Sequence, residues 1–267
     1  MNFYKSRFGI YQAIAACVVF IATLFLGNDS FSDFLKKFLS GKVLGTPTPK
    51  AIVLTLSLQT LFFILLLLIL WASTFLTNKD NKEEKPCDNI PSCTKWQAIF
   101  IGAKRFVPTF FGAVGLMLIS SLFFEKVLGI VPEEQDMVRW VVGDTYSIKV
   151  KCFFAAMVLV EAPVLEEMLF RGVIFRGMIS KTPFWVAVIV SGLVFSIVHL
   201  SAVAILPFMY LSYRFACVYR ETGSILSPMT MHCLFNGVNL LMCVAVKLLG
   251  IDAETTTSCI NIFNSLI

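Results

Sequence analysis

Between Glu161 and Gly177 the chain reads EAPVLEEMLFRGVIFRG, placing two adjacent carboxylates and an arginine in a run otherwise apolar enough to lie in a membrane. A charge at bilayer depth costs about 2.5–3.5 kcal/mol on insertion scales, so such groups are read as a functional site. Helix geometry divides the cluster. Glu167 precedes Arg171 by one helical turn, the favourable order for an intrahelical pair, whereas Glu166 is turned about 100° from Glu167 and lacks that partner. The spacing predicts one carboxylate braced and one free for proton transfer. The two histidines, His199 and His232, both fall in later apolar runs. Phe195 lies one turn before His199 and Asn236 one turn after His232, so each pair shares a helix face. Glu166, His199, His232 and Asn236 together supply a base, two proton-sharing groups and an amide donor. The competing reading is that these are buried polar groups satisfying one another across a bundle. It suits a single intramembrane histidine better than a set of four, each of which must be desolvated.

The elements that must carry these residues are transmembrane helices. Of 267 residues 57% are hydrophobic and only 15% charged, with a mean hydropathy of +0.81, unlike a soluble domain. Apolar runs reach the roughly 20 residues that cross a bilayer as helix, without the alternation of a barrel strand. The expected fold is all-α, a polytopic transmembrane bundle of about seven helices. The spans are 8–27, 51–76, 106–124, 151–179, 183–199, 202–219 and 228–249. Lys104 and Arg105 flank the third, and Pro163 removes one backbone hydrogen bond of the fourth and should kink it one turn before the carboxylates. Thr182 with Pro183, and Ser227 with Pro228, read as caps of the fifth and seventh. Gly223 can take a positive φ in the turn between spans six and seven. Residues 31–42 have the spacing of an amphipathic interfacial segment, and 137–142 could return to the interface. The chain divides into three N-terminal spans with their loops (1–150), a four-helix core carrying the polar residues (151–250) and a polar tail (251–267).

The net charge of +5 does not indicate nucleic acid, because the basic residues gather at the ends of apolar runs, where they set topology. Lys5, Arg7, Lys104, Arg105, Arg176, Lys181 and Arg220 favour a cytoplasmic N-terminus, while Lys36, Lys37, Lys42, Lys149 and Lys151 pull the other way. Most cysteines fall in or beside the spans, where they act as small hydrophobes. Cys87 and Cys93 share a loop in a spacing that fits no common zinc pattern.

In order on successive helices, EEMLFRG, FSIVH, the TGSI lead with its proline, and HCLFN resemble the three motifs of the CPBP family. These are the Abi or type II CAAX-prenyl-endopeptidase-like intramembrane glutamic proteases. The resemblance covers about residues 151–249, and no motif position departs from it. It implies a multi-pass protein of a prokaryotic plasma membrane, working without cofactor or metal on membrane-associated substrates, CAAX-prenylated or not. Its partners would be membrane lipids and a protein or peptide substrate, lipid-modified in some cases. It further implies that Glu166, assisted by His199, activates a water as general base and that His232 and Asn236 stabilise the oxyanion. Glu167, Arg171 and Phe195 would be supports. A buried carboxylate suits the first role, and an amide with an imidazole suits the second.

Three other readings stay open. A zinc-dependent membrane protease could use the same groups, although Asn is an uncommon ligand and no HExxH occurs. A proton-coupled transporter could relay protons through them, but no inverted repeat is evident. A non-proteolytic membrane scaffold could retain the motifs. Nucleophilic catalysis is disfavoured: Cys233 points about 100° from His232, and Ser196 and Ser201 have no evident base.

Overall fold

The computed structural model describes residues 9–26, 57, 60–72, 93–130, 140–199 and 201–249, and among these every regular element is helical. We number them α1 (Ile10–Leu26), α2 (Thr60–Ala72), α3 (Lys95–Leu128), α4 (residues 148–179), α5 (Phe184–Val198), α6 (Ile205–Thr222) and α7 (Leu226–Leu248). By length and composition α3, with 34 residues, and α7, with 23, can each cross a membrane. The chain is an all-α membrane protein. The expected interfacial segment at 31–42, Cys87 and the tail at 251–267 lie outside the described residues.

α2 alternates Phe63, Leu66 and Leu70, buried, with Leu61, Ile64, Leu65, Leu68 and Ile69, exposed. One apolar stripe packs inward and the other faces outward, the pattern of a helix between protein and lipid. α3 begins earlier than the charged flank at Lys104 suggested. Thr94 and Gln97 form a reciprocal capping box, so the helix nucleates at Lys95 and carries Lys104 and Arg105 within it. It ends on Gly129, whose φ of 67° makes the left-handed cap. Gly223 closes α6 in the same way, with φ 68°.

The caps expected at Thr182 and Ser227 take other roles. The Thr182 hydroxyl donates to Met178 O (2.9 Å), sealing the end of α4, and α5 starts after Pro183. Ser227 lies inside α7 and donates to Thr222 Oγ1 (2.7 Å), while Ser224 Oγ accepts from Leu226 N (3.3 Å). Both hydroxyls find a carbonyl or hydroxyl of the preceding helix nearer than a free N–H of the next.

α6 packs against α3, α5, α7 and the middle of α4, and α1 covers α4 and α5 from the other side. Small residues allow the close approaches. A side chain at Gly102 would collide with the Ser227 backbone, and one at Gly177 with the backbone of Gly9 and the methyl of Ala13, joining α3 to α7 and α4 to α1. Phe110 of α3 meets Phe235 of α7 edge-on at 5.8 Å. At the far end Lys247 donates to Val142 O (2.7 Å) and pairs with Asp144 (2.5 Å), tying the approach to α4 to the end of α7. Residues 140–142 form a helical turn there, with Trp140 against Phe154 at 5.5 Å.

α4 is not a uniform helix. Residues Met157–Glu161 and Met168–Phe175 are π-helical, separated by one α-helical stretch, Ala162–Glu167. Ala162 N–H bonds Met157 O, five residues back. In that register the next acceptor, Val158 O, would meet the N–H of residue 163, which is proline and has none. In place of a simple kink, Pro163 is thus accommodated by a widened turn with one carbonyl released.

Candidate active site

The released carbonyl is the first anchor of the site. Asn236 Nδ2 of α7 donates to Val158 O at 2.9 Å, so a side chain from another helix completes the backbone that Pro163 leaves open. His232 lies one turn earlier on α7 and faces the carboxylates of α4.

The two carboxylates differ sharply. Glu167 is fully buried, and its Oε1 accepts from Arg171 Nη1 (3.0 Å) and from His232 Nδ1 (3.0 Å). Arg171, buried as well, also donates through Nη2 to Ser212 Oγ (3.0 Å) and Ser212 O (3.2 Å) of α6. Its guanidinium lies over the rings of Phe215 (4.9 Å) and Phe195 (5.2 Å). Glu166 is turned toward the other edge of His232, 4.0 Å from Nε2, with its side chain 22% exposed. Its Oε2, like that of Glu167, has no hydrogen-bond partner among the described residues, but Glu166 also lacks the two donors that Glu167 has at Oε1.

His199 closes α5 as its C-terminal residue, with Nδ1 2.6 Å from Phe195 O. A carbonyl can only accept, so Nδ1 carries the proton and, in the neutral ring, Nε2 keeps its lone pair. The ring lies against Phe208 (4.1 Å) and Phe195 (4.7 Å). Phe195 also touches His232, at 6.1 Å, so one aromatic ring separates the two imidazoles. His199 lies within electrostatic range of Glu166 and His232. Phe215 stacks on His232 at 5.0 Å.

The structure thus brings Glu166, Glu167, Arg171, Phe195, His199 and His232 into one cluster built from α4, α5, α6 and α7, with Asn236 at its edge on Val158 O. The intrahelical Glu167–Arg171 pair follows the sequence spacing. The second bond of Glu167, to His232, does not: it joins residues 65 apart. Ser212 and Phe215 were also missed. A buried guanidinium with five donors and one carboxylate on its own helix requires further acceptors, which signals that such a residue exists without naming it. The site has the parts for proton transfer: an unbonded carboxylate, an imidazole with a free Nε2, and a second imidazole held in orientation by a buried acid.

Among the described residues no three His, Cys, Asp or Glu side chains are arranged to hold a metal ion. His232 Nδ1 is committed to Glu167 and His199 Nδ1 to a backbone carbonyl.

Comparison with known proteins converges on the same helices. Residues 148–238 match the family model described as Type II CAAX prenyl endopeptidase Rce1-like. A curated protein of Bacillus subtilis (strain 168), "Putative membrane peptidase YdiL", is 34% identical over 80 residues, which are 30% of this chain and 33% of that protein. The match therefore spans about a third of the relative's length. No solved structure matches the chain significantly. Every residue of the cluster, from Glu166 to Asn236, lies inside the matched segment, so the helices that build the site are the part of the chain that is similar to the Rce1-like, type II CAAX prenyl endopeptidases.

Proposed function

We propose that the chain is an intramembrane endopeptidase that hydrolyses peptide bonds of membrane-associated proteins with a water activated by Glu166 and His199. The observation that carries this reading is the unequal holding of the adjacent carboxylates: Glu167 accepts from Arg171 and His232, both at Oε1, whereas Glu166 has no hydrogen-bond donor among the described residues, Oε2 of both being unpartnered. A carboxylate left unbonded beside an imidazole is available to take a proton.

In the reaction, the water oxygen adds to the scissile carbonyl carbon as Glu166 takes its proton. His199 Nε2 accepts from the other hydrogen and orients the attack. The carbonyl oxygen becomes an oxyanion and accepts from His232 Nε2–H and from the Asn236 amide, whose nitrogen has a second hydrogen beside the one on Val158 O. His232 serves best as the imidazolium, since one proton on it balances the charges of Glu166, Glu167 and Arg171 in the buried cluster. On collapse the C–N bond breaks, and the proton on Glu166 passes to the leaving nitrogen. The products are a new carboxyl terminus and a new amine. Glu167, Arg171 and Ser212 act by holding His232, and Phe195 by spacing the two imidazoles.

The substrate class follows from the setting: a peptide segment presented at or in the membrane, with a prenylated CAAX protein as the form suggested by the family. Glu166→Gln keeps the shape and removes the base. We expect it to lower cleavage by about 10²- to 10⁴-fold, read as new protein termini in membranes holding wild type or variant. A folded Glu166→Gln protein with unchanged cleavage would overturn the mechanism. Comparing prenylated and unprenylated forms of one cleaved peptide assigns the lipid requirement. Loss of activity to a strong chelator, restored by zinc, would favour the zinc-dependent reading.

A further inference from the structure

Two adjoining cavities lie at the end of the bundle where α5 begins and α6 ends, away from the carboxylates. One, about 500 Å³, is lined by Phe184, Trp185, Tyr213, Cys217, Arg220 and Glu221. The other, about 220 Å³, is lined by Arg105, Arg214, Cys217, Val218 and Glu221, so Cys217 and Glu221 form a shared wall. Three guanidiniums against one carboxylate leave the pair of cavities positive, and the carboxylate is already neutralised. Arg105 binds Glu221 through Nε (3.0 Å) and Nη2 (2.8 Å). Arg214 uses only Nε, toward Thr109 Oγ1 (3.1 Å), and Arg220 lies over the Phe184 ring at 4.8 Å; neither has a carboxylate partner among the described residues. The arginines that flank the shared wall therefore present unpaired donors into the cavities.

The surroundings say what kind of anion fits. The cavities sit where the apolar helix α5 begins and α6 ends, the part of a membrane helix that meets the headgroups. Trp185 stacks on Tyr213 at 5.6 Å, an aromatic pair of the type that collects at the membrane interface. From Trp185 an outward apolar track continues down α5 at one-turn intervals through Ile189 and Leu193, which are 60%, 48% and 39% exposed in that order. A basic, half-enclosed headgroup site that opens onto an apolar track matches the two ends of a phospholipid, and basic pockets between membrane helices bind anionic headgroups.

We propose that this region binds one anionic phospholipid, its headgroup across the two cavities between Arg214 and Arg220 and an acyl chain along Trp185, Ile189 and Leu193. The bound lipid bridges α5 and α6, with α3 drawn in through Arg105. This is independent of the proteolytic reading, since no residue of the cluster around Glu166 takes part.

The test uses the full chain in phosphatidylcholine bilayer discs with and without phosphatidylglycerol. Phosphatidylglycerol should raise Tm by about 3 °C or more, and native mass spectrometry should retain a phosphatidylglycerol adduct. In Arg214→Gln/Arg220→Gln the adduct and the shift should both be lost, whereas Arg214→Lys/Arg220→Lys, which keeps the charge, should retain the adduct. If the glutamine variant is already destabilised in pure phosphatidylcholine, adduct retention alone decides. An adduct undiminished in the glutamine variant, or equal stabilisation by inorganic phosphate without lipid, would overturn the assignment.

Discussion

The two π turns of α4 are alike in geometry and unlike in cause. The first, Met157–Glu161, sits directly ahead of Pro163, and the carbonyl left without a backbone donor is met by Asn236 of α7. Glu161, at its end, accepts from the Thr60 hydroxyl of α2. The second, Met168–Phe175, contains no proline and is filled by Arg171, which reaches Glu167 on its own helix and Ser212 on α6. One turn is widened by a missing donor and repaired from outside. The other widens around a charged side chain that needs room. The first defect is local and chemical, the second is tertiary, and the two should respond differently to substitution.

The largest effect is expected at the second turn. Arg171→Ala leaves the buried Glu167 carboxylate without its cation, and should cost about 3–5 kcal/mol, read as a fall in unfolding free energy in detergent or bilayer discs. Exchanging both partners for apolar residues of similar size should cost much less than removing the arginine alone. A mild Arg171→Ala would mean that the second turn does not depend on its charge.

At the first turn Asn236→Ala should cost about 1–3 kcal/mol, the expense of stranding the Val158 carbonyl. The decisive comparison is with Pro163→Ala, which restores an N–H at residue 163. In that background Asn236→Ala should be less harmful, with a coupling of about 1 kcal/mol in a double-mutant cycle. Strict additivity would break the link between the proline and the amide. No such rescue should exist for the second turn, where no backbone donor is missing.

The smallest effect lies at the tether beside α4. Lys247 holds the Asp144 carboxyl below its ordinary value of 3.8. A depressed folded value means that this contribution is fully present above about pH 4 and is lost as pH falls through the folded value. Lys247→Ala should lower Tm slightly, because Asp144 is exposed and water screens the pair, and by less at pH 2, where only the bond to Val142 O remains to be lost, than at pH 7.

Legibility in the sequence follows the same division. The helices could be read because apolar runs long enough for a bilayer leave few alternatives, and the Glu167–Arg171 pair because its spacing is set within one helix. Pro163 announced a lost hydrogen bond and suggested a kink rather than a widened turn, since which of the two forms depends on whether a neighbour can take the freed carbonyl. The start of α3 was hidden because Lys104 and Arg105 resemble a flank, and the Thr94–Gln97 box outweighs them. Ser212, Phe215 and the His232–Glu167 bond were beyond reach because each depends on the register between helices far apart in sequence. His199 and His232 stood out by their rarity, but their separation by the Phe195 ring is visible only in three dimensions.

The contact between Asn236 and Val158 O has a consequence for the timetable of biosynthesis. The donor enters the chain 78 residues after the acceptor, and the His232–Glu167 bond closes a gap of 65. Until α7 has left the ribosome and entered the membrane, α4 carries an unpaired carbonyl in hydrocarbon and an acid that lacks one of its two donors. The last described helix is thus a checkpoint. A nascent or truncated chain that stops short of it holds every carboxylate of the cluster, but lacks the part that orders them.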